Sequence, residues 1–511
     1  MKNYVVAPNI VKYSELRTKG SLSPSCYSTV RFANSHWKSL RSILGASPYK
    51  DGEEVGSAAY VDSSGRHFLR TSAIQPYNYV IRIDSESVLH IKPANYERVI
   101  AANADRTLTD GDIIYAKAGN VGDVAFCYGI ENATFSSHIL KLNIPQNKYY
   151  VFAFLKSEFC RAQQQLGIVG SIKGLDMFDF KVIDECKIPF PSGTNAATVI
   201  GFVEVLVKCI LEKELEIRRK NQMINQLIES ELESQNTASP FQYKYPTYSE
   251  LARVGRLDTG VYTLDYKRQM HKVTNYANGC QTLSKMGFSI RRGQNLQFSE
   301  IGHTIITEQA HPKYYTLIYP TYVSDYRIID KLLYLGSKLE LQRLVRGDIL
   351  FGAEGVDKGR TTILCELPPR AISNIHAILI NKEPLELNRN IFVGCFLGWL
   401  KSLGIFERLG VGTAGGSVVK NFVGQMPIPN FPKELVRKVA ETYHNPNSFE
   451  VFTEDYLEFE RLNREHNKNW GIFQLNVQVL ALKAKLTDTV EQIVDGLQPE
   501  LILPKINTIL P

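Results

Sequence analysis

The sequence is short of the signatures that mark most enzymes. It has no GxxxxGK[ST] phosphate loop, no HExxH zinc helix and no GxSxG nucleophile elbow. The Asn-Pro-Pro-Tyr and Asp-Pro-Pro-Tyr signatures of amino-methyltransferases are missing as well. One glycine-rich run, GVGTAGG at Gly410–Gly416, has no clear strand leading into it and reads as a loop, not a dinucleotide cradle. Eight cysteines are scattered without a CxxC pair or a tight His/Cys cluster, which argues against a zinc ribbon and for reduced thiols. No apolar run reaches the ~18 residues a membrane helix needs. The N-terminal stretch lacks the apolar core of a signal peptide. The expectation is a cytoplasmic protein with no membrane contact. Charge is only mildly unbalanced: 59 Lys and Arg against 52 Asp and Glu give a formal net charge of +7. That suits a nucleic-acid partner without demanding one.

What the sequence does have is an echo of itself. Tyr13–Leu22 reads YSELRTKGSL and Tyr248–Leu257 reads YSELARVGRL, identical at six of ten positions. The echo continues in order. LSPSCY at Leu22–Tyr27 meets LDTGVY at Leu257–Tyr262, and GDIIYAKAG at Gly111–Gly119 meets GDILFGAEG at Gly347–Gly355. Ser137-His138-Ile139-Leu140 meets Ile375-His376-Ala377-Ile378, and VFAFL at Val151–Leu155 meets VGCFL at Val393–Leu397. Gly170-Ser171 meets Gly416-Ser417, and each copy ends on an Ile-Pro, in KIPFPS and MPIPNFP. The separation drifts slowly from 235 residues upward, as short loop insertions make it drift. This period is far longer than a solenoid repeat and implies two whole domains.

Each copy reads as a mixed α/β domain of short strands. GDIIYAKAG is a buried strand followed by a tight turn, and VFAFLKSEFCRAQQQLG is a helix ending at Gly167. The Gly-Asp pairs, Gly111-Asp112 and Gly347-Asp348, are expected to shape turns, since Gly permits unusual φ and Asp bonds its own backbone. His138 and His376 lie in apolar runs and are expected to be satisfied core residues.

Between the copies, Asn195–Gln235 has no proline and places Val203, Ile210, Ile217 and Ile224 seven residues apart. Leu206 and Leu227 take the companion position, with Lys213 and Lys220 between them. That is a long helix with an imperfect coiled-coil seam. A polar, proline-containing linker follows. After the second copy, Lys433–Tyr443 and Phe473–Leu497 read as helices, interrupted by HNPNSFEVF and HNKNWG, where a small extra element is expected. The fold class is α/β (mixed): residues 1–193, a helical spacer and linker at 194–244, a second domain at 245–430 and a distal helical region at 431–511. Paired long helices would hold the two domains at a fixed separation.

This order resembles the specificity (S) subunit of type I restriction–modification systems. In that family a GDI[IL] strand with a small-residue turn, a later Gly-Ser and a terminal Ile-Pro mark each target-recognition domain. Here they are Gly111–Ile114, Gly170-Ser171 and Ile188-Pro189, then Gly347–Leu350, Gly416-Ser417 and Ile428-Pro429. The resemblance implies a subunit that performs no chemistry and binds no cofactor. Each domain would read one half of a split site in double-stranded DNA. The helices would set the gap and recruit methyltransferase subunits, which bind S-adenosylmethionine. Where restriction is part of the system, a translocase–nuclease subunit using ATP and Mg would join. Two unlike domains imply an asymmetric target. The competing readings are a stand-alone DNA-acting enzyme with an unrecognised site, and a protein-interaction scaffold with no DNA role.

Candidate DNA contacts are cationic and amide side chains on loops. They are Lys117 and Asn120 after the first GDI strand, Lys358 and Arg360 after the second, and Lys173 and Lys420 after each Gly-Ser. Arg291 and Arg292 in IRRGQN complete the set, with Lys313 and Tyr314 beside Tyr315.

Overall fold

The computed structural model describes residues 4–19, 22, 27–61, 64–83, 88–167, 180–235, 240–355, 358–412, 416–445, 453 and 455–504. The chain divides into two units. One holds Met1–Leu215, Val451–Glu465 and Ala481–Lys505; the other holds Glu216–Glu450, His466–Leu480 and Ile506–Pro511.

In the first unit the GDII strand, Ile113–Ala116, lies between Ile139–Leu142 and Val124–Phe126, with Tyr49–Asp51 on the far side of Ile139–Leu142. All three pairings are antiparallel. In the second unit the GDIL strand, Ile349–Gly352, lies between Ala377–Lys382 and Thr361–Ile363, with Phe288–Arg292 outermost. Even the register is shared. Ile139 faces Ala116 and Leu142 faces Ile113; Ala377 faces Gly352 and Ile380 faces Ile349. Every residue of both GDI strands is buried, so each strand is covered on both faces. That explains why IIYA and ILFG run apolar instead of alternating.

The Gly-Asp turns form as expected. Gly111 and Gly347 have φ of 85° and 83°, a region costly to any residue with a Cβ. Asp112 accepts the Thr109 N–H at 2.8 Å, and Asp348 accepts the Val345 N–H at 2.9 Å. Each unit closes on its Ile-Pro. Lys187–Pro189 pairs with Trp37–Ser39, and Pro427–Pro429 with Cys280–Thr282, as two-stranded ribbons whose free edges tolerate proline.

A second sheet in each unit is less alike. The first has four strands, in the order Ala133–Phe135, Arg66–Leu69, Val88–Ile91, Tyr60–Val61. The second has three, Ile305–Thr307, Leu333–Gly336 and Tyr315–Leu317. The parallel pairing of Ala133–Phe135 with Arg66–Leu69 shrinks there to one parallel bridge, Leu317 to Ile372.

The run expected as one helix through Gly167 is two, Lys148–Leu155 and Glu158–Gly167. Ser157 makes the break: its hydroxyl donates to the Phe154 carbonyl at 2.6 Å and accepts the Cys160 N–H at 3.3 Å, capping the second helix. The spacer is one helix, Ala196–Ser234, and the distal helices are Lys433–Tyr443, Tyr456–Asn467 and Ile472–Val494. The middle one is the extra element. Val203, Ile210, Ile217 and Ile224 are all fully buried, as is Lys213. Burial pushes the Lys213 ammonium down to about 7. Lys220 is buried too, its ammonium donating to the Lys468 carbonyl at 2.9 Å.

Each unit contains a stretch of the spacer helix and a stretch of Ile472–Val494, and holds them by different chemistry. In the first, the Glu214 carboxylate accepts the N–H groups of Tyr79 and Val80 at 2.8 and 2.9 Å and pairs with Lys483 at 2.7 Å. Lys483 also donates to the Tyr77 carbonyl at 2.6 Å. In the second, the Asn476 amide bonds both the N–H and the carbonyl of Ile329 at 2.9 Å. Arg327 is buried, donating to Asn221, to Asn225 at 2.7 Å and to the Cys395 carbonyl at 2.8 Å. The Tyr443 hydroxyl accepts the Ile363 N–H at 3.0 Å and faces the Arg327 carbonyl at 3.1 Å.

Among the described residues, no helix is long and apolar enough to cross a membrane. No group of three or more His, Cys, Asp or Glu there could hold a metal ion. The seven described cysteines are free.

Candidate nucleic-acid interface

The loops that leave the C-terminal ends of the GDI strands carry different polar side chains in the two units. In the first unit Lys117 leaves the strand, pairs with Asp51 and lies 5.5 Å from the Phe180 ring centre. Asn120 is exposed at the tip of that turn. The position matching Lys117 is Ala353, and the next position turns from Ala118 to Glu354.

In the second unit Arg291 and Arg292 lie on the outermost strand, and adjacent residues of a strand point to opposite faces. Arg291 reaches the buried Asp348 carboxylate at 2.7 Å, the side chain that also closes the Gly-Asp turn. Burial raises the Asp348 carboxyl, against the opposing pull of the Val345 N–H and the Arg291 charge. Arg291 is thereby committed to the fold. Arg292 donates to the Ile375 carbonyl at 3.3 Å and lies 3.7 Å from Glu354.

Lys313 is exposed on the connection before Tyr315–Leu317, and Tyr314 is half-buried, its ring 4.5 Å from that of His311. A Cβ at Gly336 would sit 2.7 Å from the Tyr314 ring, so that glycine makes room for it. Tyr315 does not join a basic-aromatic surface. It is fully buried in the second unit's core, and its hydroxyl donates to the Leu339 carbonyl at 3.1 Å.

Lys358 and Arg360 face inward. Lys358 is buried and donates to the Gly355 carbonyl at 3.2 Å, while Arg360 grips Asp325 through two 3.0 Å bonds. Lys420 is exposed on the first turn of a short helix, Lys420–Gly424, beyond Ser417. Ser417 itself bridges to Glu354, placing the second Gly-Ser against the turn after the GDIL strand. Lys173, with Gly170-Ser171, lies outside the described residues.

The histidines correct their expectation. His138 and His376 are not in the core; their side chains are 53% and 54% exposed, each beside a glutamate. Both occupy the turn entering the strand that pairs with the GDI strand, where a side chain can point outward even inside an apolar run. Their identity at matching positions of two diverged copies was the signal available in the sequence.

No family model matches the chain, and no curated protein matches it. Solved structures do. The S subunit of a type I restriction–modification system from M. genitalium is similar at 14% identity, covering 92% of this chain and 98% of that one, with a TM-score of 0.36. The HsdS subunit from Thermoanaerobacter tengcongensis is similar at 11% identity over 90% of this chain and 96% of its own, TM-score 0.26. A structure concerned with complex assembly and conformational transition of the type I R-M system is similar at 13% identity, covering 91% and 98%, TM-score 0.23.

Proposed function

We propose that this chain is the DNA-specificity subunit of a type I restriction–modification system, reading a split and asymmetric site in duplex DNA. The observation that carries the reading is internal. The GDI sheets of the two units share one strand order and one register, yet the loops at the ends of their GDI strands carry different side chains. A shared frame with unlike reading surfaces is what two different half-sites require, whereas a symmetric dimer reads a palindrome. The net charge of +7 favours approach to phosphate. The chain supplies recognition and no chemistry. Methyltransferase subunits supply S-adenosylmethionine and the methyl transfer, and a translocase–nuclease subunit, where present, supplies ATP-driven cleavage. The complex works in the cytoplasm, away from membranes.

The test is to reconstitute the chain with methyltransferase subunits of a type I system and map methylated adenines on genomic DNA. One bipartite, non-palindromic motif supports the reading, together with binding that weakens steeply with salt. Turnover of DNA by the chain alone with Mg and S-adenosylmethionine supports a stand-alone enzyme instead. Absence of DNA binding leaves a scaffold.

A further inference from the structure

We infer that His138 and His376 are equivalent base-contacting residues, one in each half of the recognition surface; this rests on the DNA-reading function proposed above. The two copies have diverged in most side chains near the GDI strands, yet both keep histidine at this turn. The turn does not need the ring. In each unit the histidine's backbone carbonyl accepts an N–H from the residue leaving the GDI strand, Lys117 at 2.9 Å and Ala353 at 3.0 Å. The imidazole is left more than half exposed. An exposed side-chain contact of this kind adds little to stability, so stability alone does not account for keeping the histidine twice.

The carboxylates say more. Glu54 Oε1 lies 3.9 Å from His138 Nε2 and accepts the Ser137 hydroxyl at 2.9 Å. Glu354 bonds His376 Nδ1 directly. These glutamates come from unrelated positions. Glu54 follows the outermost strand, Tyr49–Asp51, whereas Glu354 follows the central GDIL strand. A glutamate thus stands beside the ring in both copies, supplied from two places in the sequence and at different ring nitrogens, bonded at His376 Nδ1 and 3.9 Å away at His138 Nε2. At His376 the carboxylate on Nδ1 fixes the ring's direction and leaves Nε2 for a ligand. It also repels a phosphate, which selects a base edge over the backbone as the partner. Cations flank both sites, each already facing a carboxylate: Lys117 pairs with Asp51 beside one, and Arg292 lies 3.7 Å from Glu354 beside the other.

The experiment uses the full chain reconstituted with its methyltransferase, as wild type, His138→Ala and His376→Ala, in binding and methylation-mapping assays across salt. Each variant should lose selectivity by roughly 10- to 100-fold at one base pair of one half-site, with the other half-site unchanged. The slope of log K against log salt should not change. His138→Gln and His376→Gln, which keep a hydrogen-bonding tip, should alter the preferred base more than the affinity, guarding against a folding effect. Unchanged selectivity overturns the inference, as does a uniform loss over all sequences with a slope flatter by about 0.9, the mark of a phosphate contact. A wild-type complex without any sequence preference overturns the proposed function, and this assignment with it.

Discussion

Glu214→Ala should loosen the first unit's grip on its helices at one identifiable place. The carboxylate, 8% exposed, satisfies the N–H groups of Tyr79 and Val80 and faces the Lys483 ammonium, itself 18% exposed. Removing it strands two backbone donors and one largely buried charge. A fully buried charge stripped of its partner costs ~3–5 kcal/mol, and partial exposure of Lys483 places this case near the lower end. About 3 kcal/mol corresponds to roughly a hundredfold change in a local opening equilibrium. Hydrogen exchange read by mass spectrometry over Tyr77–Ile81 measures it directly. Protection there should fall by about two orders of magnitude, and Glu214→Gln, which keeps one acceptor, should fall between. Protection at Tyr79 and Val80 unchanged in Glu214→Ala would refute the assignment of Glu214 as the anchor.

Lys213→Met should stabilise the protein, and more so in acid. Burial holds the Lys213 ammonium down at about 7, against about 10.5 for a lysine in the unfolded chain. The charged form is therefore penalised in full below pH 7, and the penalty fades as pH rises from 7 toward 10. Lys156, also pushed down to about 7 by burial, adds to the wild type's rise in the same window. The gain in Tm for Lys213→Met should be largest at pH 6 and clearly smaller at pH 9, with a free-energy difference between them of at most ~3 kcal/mol; equal gains at both would contradict the burial account. Arg360→Ala should cost ~1–2 kcal/mol in thermal melting through loss of the Asp325 pair, and leave the salt slope of DNA binding unchanged. A slope flatter by about 0.9 would instead make Arg360 a phosphate contact. Tyr443→Phe should cost ~1–2 kcal/mol because it strands the Ile363 N–H, and a melting curve identical to wild type would show that this bond contributes nothing.

The frame of each unit was legible because its signals are backbone signals. Gly-Asp marks a turn that needs positive φ, a short apolar run marks a covered strand, and an Ile-Pro marks a ribbon edge. Each repeats in order, so each copy checks the other. The seven-residue spacing of Val203, Ile210, Ile217 and Ile224 likewise announced the long helix. The extra distal element was expected, but that it is a helix, Tyr456–Asn467, was not legible. It carries few apolar residues and is laced by Glu458–Arg461, Arg461–Glu465 and Glu460–Arg464 pairs, which one sequence presents as an ordinary charged loop. Side-chain direction was the weaker part of the site. Lys358 and Arg360 read as surface cations until Gly355 and Asp325 are seen to hold them inward. Tyr315 looked like a partner of Lys313 because they are close in sequence, yet strand alternation sends its ring into the core.

The most direct test of the central claim, that each unit reads its own half-site, is an exchange of one reading unit. Residues 245–430 are replaced by the matching domain of a relative with a different target, the chimera is assembled with its methyltransferase, and methylated adenines are mapped. The account predicts a new sequence in one half of the bipartite motif, with the other half and the gap unchanged. Alteration of both halves together would contradict it.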